Sequence, residues 1–198
     1  MKKTILGVFM AMAIINNVSA AEQKLPAPDR EGGMPLMQAL SERHSVKQFQ
    51  KKEINDQILS NILWAAYGVN RSGGLRTIPT AMNQKDLDVY AAKADGVWQY
   101  DAINHTLRQV SSENILPLFQ TQDYMKNVPL VLIYTGSKNQ DYAAMHAGSA
   151  YQNVGLYAAS QGLGSVVRGY FDNEGVNKAL KLPNSERVII SQAVGWEN

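Results

Sequence analysis

From residue 34 the chain moves between helical and strand periodicities. In "MPLMQALSERHS", Leu36, Met37 and Leu40 fall on one side of a helix that ends near Arg43. "NDQILSNILWAAYG" predicts a stronger helix. Asn55 or Asp56 caps it, Ile58, Leu59, Ile62, Leu63 and Ala66 share a face, and Gly68 ends it. "NRSGGLRTIPTAMNQ" has loop chemistry in Gly73-Gly74 and Pro79. "LDVYAA" and "VWQYDA" predict strands joined through Asp95-Gly96, a hairpin signal. A polar helix is expected over residues 111–120. "PLVLIYTG" is continuously apolar, as a strand buried on both faces would be. Residues Tyr142 to Gln161 are small or apolar nearly all round, which predicts a central helix packed on every side near a subunit interface, with Gly162 ending it. "SVVRGYF" reads as a strand, "NEGVNKALKL" as a short helix and "RVIISQAVGW" as a last strand. Helices come first, then mixed strands and helices, so the fold class is α+β.

The N-terminus changes the domain boundaries. Residues 1–20, "MKKTILGVFMAMAIINNVSA", carry Lys2 and Lys3, an apolar run from Ile5 to Ile15 and small residues at Val18-Ser19-Ala20. This is the pattern of a cleavable signal peptide, too short in its apolar run to span a bilayer. A periplasmic or secreted protein is expected, beginning at Ala21. Residues 21–33, "AEQKLPAPDREGG", predict an extended arm, either free or laid across a partner. Residues 34–198 form one domain. Without Lys2 and Lys3, 17 basic residues balance 17 acidic ones, so nothing general draws the protein to nucleic acid or an anionic membrane. With no cysteine there is neither a disulfide nor a lipid-modified Cys.

Several chemistries are poorly served. His44, His105 and His146 stand far apart with no pair at helical spacing, so none is expected to bind a metal. "HAGSAY" lacks the G-x-S-x-G elbow of a serine hydrolase. "GLGSVVRG" runs helix, glycines, strand, the reverse of a dinucleotide fingerprint. Three features remain. Arg43, His44, Ser45 and Lys47 cluster in "RHSVKQF" without an acid, either as a solvated turn or as an anion site. Arg offers a fork of donors, Ser a short donor and Lys a point charge, a set that suits a phosphate ester. Arg168 lies within a strand beside Gly169, where it is either a surface residue or an inward-facing anion partner. "IPTAMNQ" is an ordinary polar loop or an edge for a flat ligand with mixed hydrogen-bonding groups.

These features stand in a recognisable order. Arg43-His44-Ser45-x-Lys47 follows a first helix, Pro79-Thr80-Ala81-Met82-Asn83-Gln84 a second, and "GSAYQNVGLYAASQGLGSVVRG" a buried strand. Over residues 34–196 the chain resembles the nitroreductase family of FMN-dependent oxidoreductases. Trp64 to Arg71, then Arg76, then Pro79 to Asn83 resemble its SagB/ThcOx-type dehydrogenase branch.

The resemblance implies a mixed four- or five-stranded sheet flanked by helices, in an intertwined homodimer with two FMN molecules at the subunit interface. It implies that Arg43, His44 and Ser45 hold the FMN phosphate end and that Lys47 faces N1 and O2. Thr80, Met82 and Asn83 would reach the flavin from the other subunit, and the backbone of Val167, Arg168 and Gly169 would lie near N5. Hydride would pass through N5 to or from a small organic substrate, with no catalytic side chain required. The usual basic pair near the C-terminus is missing from Gly195-Trp196-Glu197-Asn198, and Arg168 is the candidate to replace it. "QKDL" stands where the wider family has a Gln-Pro-Trp run, and Thr80 where it more usually has Ser. Export separates the chain from NAD(P)H, the usual donor. Either another reductant serves, or the reaction is an oxidation, or the leader is not a signal. The competing reading is an exported dimeric ligand-binding module that keeps the fold but binds a planar or anionic ligand without turnover.

Overall fold

A computed structural model describes residues 21–138 and 142–198; the proposed signal peptide lies outside them. The strands are β1 (Glu22–Lys24), β2 (Val69–Arg71), β3 (Leu75–Arg76), β4 (Leu87–Lys93), β5 (Gly96–Asp101), β6 (Thr106–Ser111), β7 (Leu130–Ser137), β8 (Leu163–Arg168) and β9 (Glu186–Trp196). The helices are α1 (Leu36–Glu42), α2 (Asp56–Tyr67), α3 (Tyr142–Ser160) and α4 (Asn173–Leu180).

The architecture is α+β, with one seven-stranded sheet in the order β1-β6-β5-β4-β7-β9-β8. Every ladder in it is antiparallel. The expected mixed sheet of four or five strands is thus corrected. The parallel character is confined to an isolated bridge between Ser45 and Ser165. The sheet is wider than expected partly because the arm supplies β1. The arm is not free: it pairs with β6, and its Pro26 carbonyl accepts from Ser60 Oγ (2.7 Å).

Two cores cover the two faces of the sheet. Leu59, Ile62, Leu63 and Ala66 of α2 and Ala147, Ala150, Val154 and Ala158 of α3 pack with Leu132, Tyr134 and Val194 on one face. Phe119, Met125, Val176 and Leu180 pack with Val131, Ile133 and Ala193 on the other. β7 lies between them, which is why its residues are apolar without alternation. Asn55 caps α2 by accepting from Ile58 N (2.9 Å), and Gly68 follows its last turn. The Asp95-Gly96 hairpin is also as expected: Gly96 has φ 130° and a Cβ there would sit 2.2 Å from the Ser111 carbonyl.

Three expectations change. The polar helix over residues 111–120 is absent. β6 runs to Ser111 and only a 3₁₀ turn, Leu116–Phe119, follows. Pro117 lacks the N–H that a longer helix would need, while Ile115 and Phe119 find burial in the second core. The strand in "SVVRGYF" stops at Arg168. Finally, α3 buries one stripe and leaves Tyr142 and Met145 exposed, so within one chain it is not packed on every side.

Candidate functional site

Residues 43–50 form an extended strap fastened to the ends of β8 and β9. Val46 N donates to the Ser165 carbonyl (3.1 Å), Gln50 N to Trp196 (2.9 Å) and Asn198 N to Gln48 (3.2 Å). Val46 and Phe49 anchor the strap in the second core. Gly164 makes room for it: a Cβ there would lie 2.6 Å from Val46 Cγ1.

An extended chain sends alternate side chains to opposite sides. Arg43 and Ser45 line one small recess with Tyr151, Gly155, Ser165 and Val167. The Arg43 stem lies along α3 at Gly155, where a Cβ would stand 3.2 Å from Arg43 Cδ. Lys47 is exposed further along the same strap. No hydrogen bond or ion pair engages the side chains of Arg43, Ser45 or Lys47 among the described residues. His44 turns the other way, into a separate cleft with Val46 and Glu197. Its Nδ1 meets the Glu42 carbonyl (2.8 Å) and its Nε2 meets Glu197 Oε1 (3.2 Å). The carbonyl contact first, and then Glu197, raises its pKa above 6.5. His44 therefore does not join Arg43 and Ser45 in the recess.

Val167, Arg168 and Gly169 divide in the same way. Val167 faces the recess and is 36% exposed, and Gly169 is exposed just past the strand. The Arg168 side chain faces the opposite side and is 5% exposed. Its Nη1 donates to the Phe119 carbonyl (2.7 Å), and its Nη2 to Thr121 Oγ1 (2.8 Å), Gln122 Oε1 (3.0 Å) and the Tyr170 carbonyl (3.0 Å). Arg168 clamps the 119–122 loop, and its guanidinium points away from Arg43 and Ser45. The strand's parity decides this, since one residue of shift reverses the face.

Thr80, Met82 and Asn83 stand elsewhere and share no cleft with Arg43 and Ser45 within the chain. They form a tight 3₁₀ turn in which Met82 (φ 52°) and Asn83 (φ 56°) both adopt left-handed backbone. Such conformations cost about 1–3 kcal/mol each and need external support. His146 of α3 supplies it. Ala81 N donates to His146 Nε2 (2.8 Å), so Nδ1 carries the proton and donates to Asp86 Oδ1 (2.6 Å). His146 is 2% exposed. From sequence, His146 is a candidate only as a metal ligand, which its spacing disfavours. The available signal was a single imidazole in a helix of Ala, Gly and Ser. Asp86 gave none.

Among the described residues no group of His, Asp and Glu could hold a metal. Among the described residues the chain thus presents unpaired Arg43 and Ser45 side chains beside α3 and a strained, exposed loop braced from the same helix.

Comparison with known proteins bears on the family and the fold. The family model described as "Nitroreductase family" matches residues 40–196. A protein of Methanocaldococcus jannaschii named as a nitroreductase is 31% identical over 180 residues, spanning 80% of this chain and 90% of its own. A crystal structure from Ralstonia eutropha, also named as a nitroreductase, is 34% identical with a TM-score of 0.83, covering 91% of this chain and 93% of that one. The microcin synthetase complex McbBCD of Escherichia coli contains a chain with the same fold, at 18% identity and a TM-score of 0.70 over 99% of this chain and 85% of that one. The chain belongs to the nitroreductase family and is an oxidoreductase of that family.

Proposed function

We propose that the protein is an exported, homodimeric, FMN-dependent oxidoreductase that transfers hydride to or from a small organic substrate. One observation carries the cofactor reading: Arg43 and Ser45, whose side chains have no protein partners among the described residues, line a recess against α3 at Gly155. A guanidinium fork and a hydroxyl suit a phosphate ester, so the donor set fits the tail of FMN. When bound, FMN supplies the hydride chemistry. Arg43 and Ser45 hold its phosphate end. Lys47 keeps a positive charge beside the pyrimidine edge, where it favours the more negative redox state. The Thr80–Asn83 turn offers hydrogen-bonding groups to the ring from a second subunit, held in shape by His146 and Asp86. His44 and the Arg168 side chain, by their orientation, take no part in gripping the phosphate. The Arg43 recess measures only about 50 Å³ within one chain, so a tricyclic ring requires a second surface.

That surface is supplied by another copy. α1 packs on α3 yet leaves Leu36, Met37 and Leu40 exposed, and Met145 of α3 is exposed too. Exposed apolar side chains on two helices are what a dimer covers. The Trp64-to-Asn83 run supports the SagB/ThcOx-type branch, and the leader supports export with a donor other than cytoplasmic NAD(P)H.

The test is the absorption spectrum of the purified protein. It should be yellow with flavin, and Arg43→Ala should weaken FMN binding by about 10- to 100-fold, the range for loss of a charge-assisted hydrogen bond. A folded dimer that stays colourless when supplied with FMN would sink the proposal.

A further inference from the structure

A groove of about 340 Å³ lies between the N-terminal arm, the end of α2 and the turn that joins β5 to β6. None of its lining residues is among those assigned above to the cofactor. Its walls are fixed. The arm is tied down by Leu25 N donating to the His105 carbonyl (3.3 Å), Gln57 Nε2 to the Ala27 carbonyl (3.0 Å) and Asp29 N to Asn61 Oδ1 (2.8 Å). Trp64 Nε1 donates to the Val69 carbonyl (3.1 Å), and a Cβ on Gly68 would lie 2.3 Å from Trp64 Cδ1, so the indole is held in place. The turn is held by Asp101, which accepts from Ile103 N (2.8 Å), Asn104 N (3.2 Å) and Asn104 Nδ2 (2.7 Å).

Two features of the lining go beyond packing. Ile103 is 63% exposed on that rigid turn, and with Leu25, Pro28, Trp64 and Val69 it gives the groove an apolar wall. The charged residues that line it are Lys24 and Arg30, and no acid does. Both are exposed, and no hydrogen bond or ion pair engages either side chain among the described residues. Neighbouring acids are committed elsewhere. The Asp101 carboxylate is taken up inside the turn. Asp29 accepts from Glu31 N (3.0 Å), and its charge reaches Tyr157 of α3. Glu22 lines a different cleft. His105 is bonded on both ring nitrogens, to Ser60 Oγ and the Pro26 carbonyl on one and Tyr100 OH on the other. A lone unpaired lysine or arginine is ordinary on a surface. Two that line one preformed apolar groove, with no acid beside them, select both the polarity and the sign of a ligand.

We propose that this groove binds a small amphiphilic carboxylate, its apolar body against Trp64 and Ile103 and its carboxylate on Arg30 and Lys24. A guanidinium offers parallel N–H donors to a planar carboxylate, and the ammonium adds a point charge. The apolar body supplies most of the binding, because exposed ion pairs contribute little, and the cations decide the sign. The occupant is a free molecule and not a membrane surface: the groove has the size of a small-ligand site, and two cations fall short of the roughly four to eight that recruit a chain to an anionic bilayer. The site is independent of the flavin reading, since no residue is shared.

The experiment is a calorimetric titration of the purified protein, with and without added FMN, using phenylbutyrate, its neutral amide and phenylbutylamine. The carboxylate should bind saturably and about 3- to 10-fold more tightly than the amide, with the amine weakest. Arg30→Gln should remove most of the carboxylate's advantage and leave the amide unchanged. Ile103→Ser should weaken carboxylate and amide alike, by about 3- to 10-fold, in a protein that stays folded by circular dichroism. Added FMN and Arg43→Ala should alter none of this. Equal binding of carboxylate and amine, no saturable binding, or displacement by FMN would overturn the proposal. So would loss of a dimer in sedimentation on Ile103→Ser, which would give the groove to a second copy. Retention on anionic phospholipid vesicles without phenylbutyrate binding would give it to a membrane, with the same result.

Discussion

At the scale of single residues, three histidines within one chain do three different things. His146 braces the Thr80–Asn83 turn, His44 ties the strap to the C-terminus, and His105 ties the arm to the core through Ser60 Oγ (2.7 Å), the Pro26 carbonyl (3.0 Å) and Tyr100 OH (2.8 Å). His146→Ala should release the left-handed turn with modest loss of stability, readable as faster amide exchange over residues 80–83 and weaker flavin binding. Unchanged exchange there would mean that the turn holds itself. Burial lowers the pKa of His105 below 6.5, the Pro26 carbonyl partly opposing. The unfolded chain then takes up this proton at a higher pH than the folded one does. The stability contributed is full above 6.5 and is lost as the pH falls through the lowered folded value. His44 has the opposite sign: its contribution is present below 6.5 and lost as the pH rises through its raised value. His105→Asn, which tolerates the φ of 54° at this position, should therefore flatten the fall in unfolding midpoint between about pH 7 and about pH 5. An unaltered slope would assign that fall to other groups.

At the scale of elements, the strap and β8 show how a short run gains its chemistry. Val46 is apolar and buried, and Arg43 and Ser45 alternate with it, so burying Val46 presents the two donors, while Phe49 fixes the far end of the strap in the same core. The fit depends on Gly164. Gly164→Ala would set a methyl against Val46, a branched side chain locked in the core, and should destabilise the fold by about 1–3 kcal/mol while displacing Arg43. Denaturant unfolding together with flavin retention checks this; a variant of unchanged stability and colour would show that the strap is not held there. Most elements were legible in the sequence because they rest on local rules: the cap at Asn55, the hairpin at Gly96, and the unbroken apolar run of β7. The helix expected over residues 111–120 failed because its apolar spacing was satisfied by a 3₁₀ turn around Pro117. Such a turn brings Ile115 and Phe119 into the same core without a full helix.

At the scale of the whole molecule, the exposed apolar patch on α1 and α3 is the main unfinished surface. Leu36 is 64% exposed, Met37 76% and Met145 64%. Met37→Asp with Leu40→Asp should give a folded monomer in sedimentation that no longer retains flavin, since the second half of the ring's surroundings would be gone. A double variant that stays dimeric would place the interface elsewhere.

The sequence alone determined the class of fold, the order of nearly all its elements and the family to which the chain belongs. These follow from periodicity, capping and turn chemistry within a few positions, and from motifs kept in order. Only the tertiary structure decided which way each side chain points. Strand parity turned His44 and Arg168 away from Arg43, and packing brought His146 under a loop 65 residues distant. Orientation and pairing of this kind depend on which distant segments become neighbours, and no local pattern encodes that.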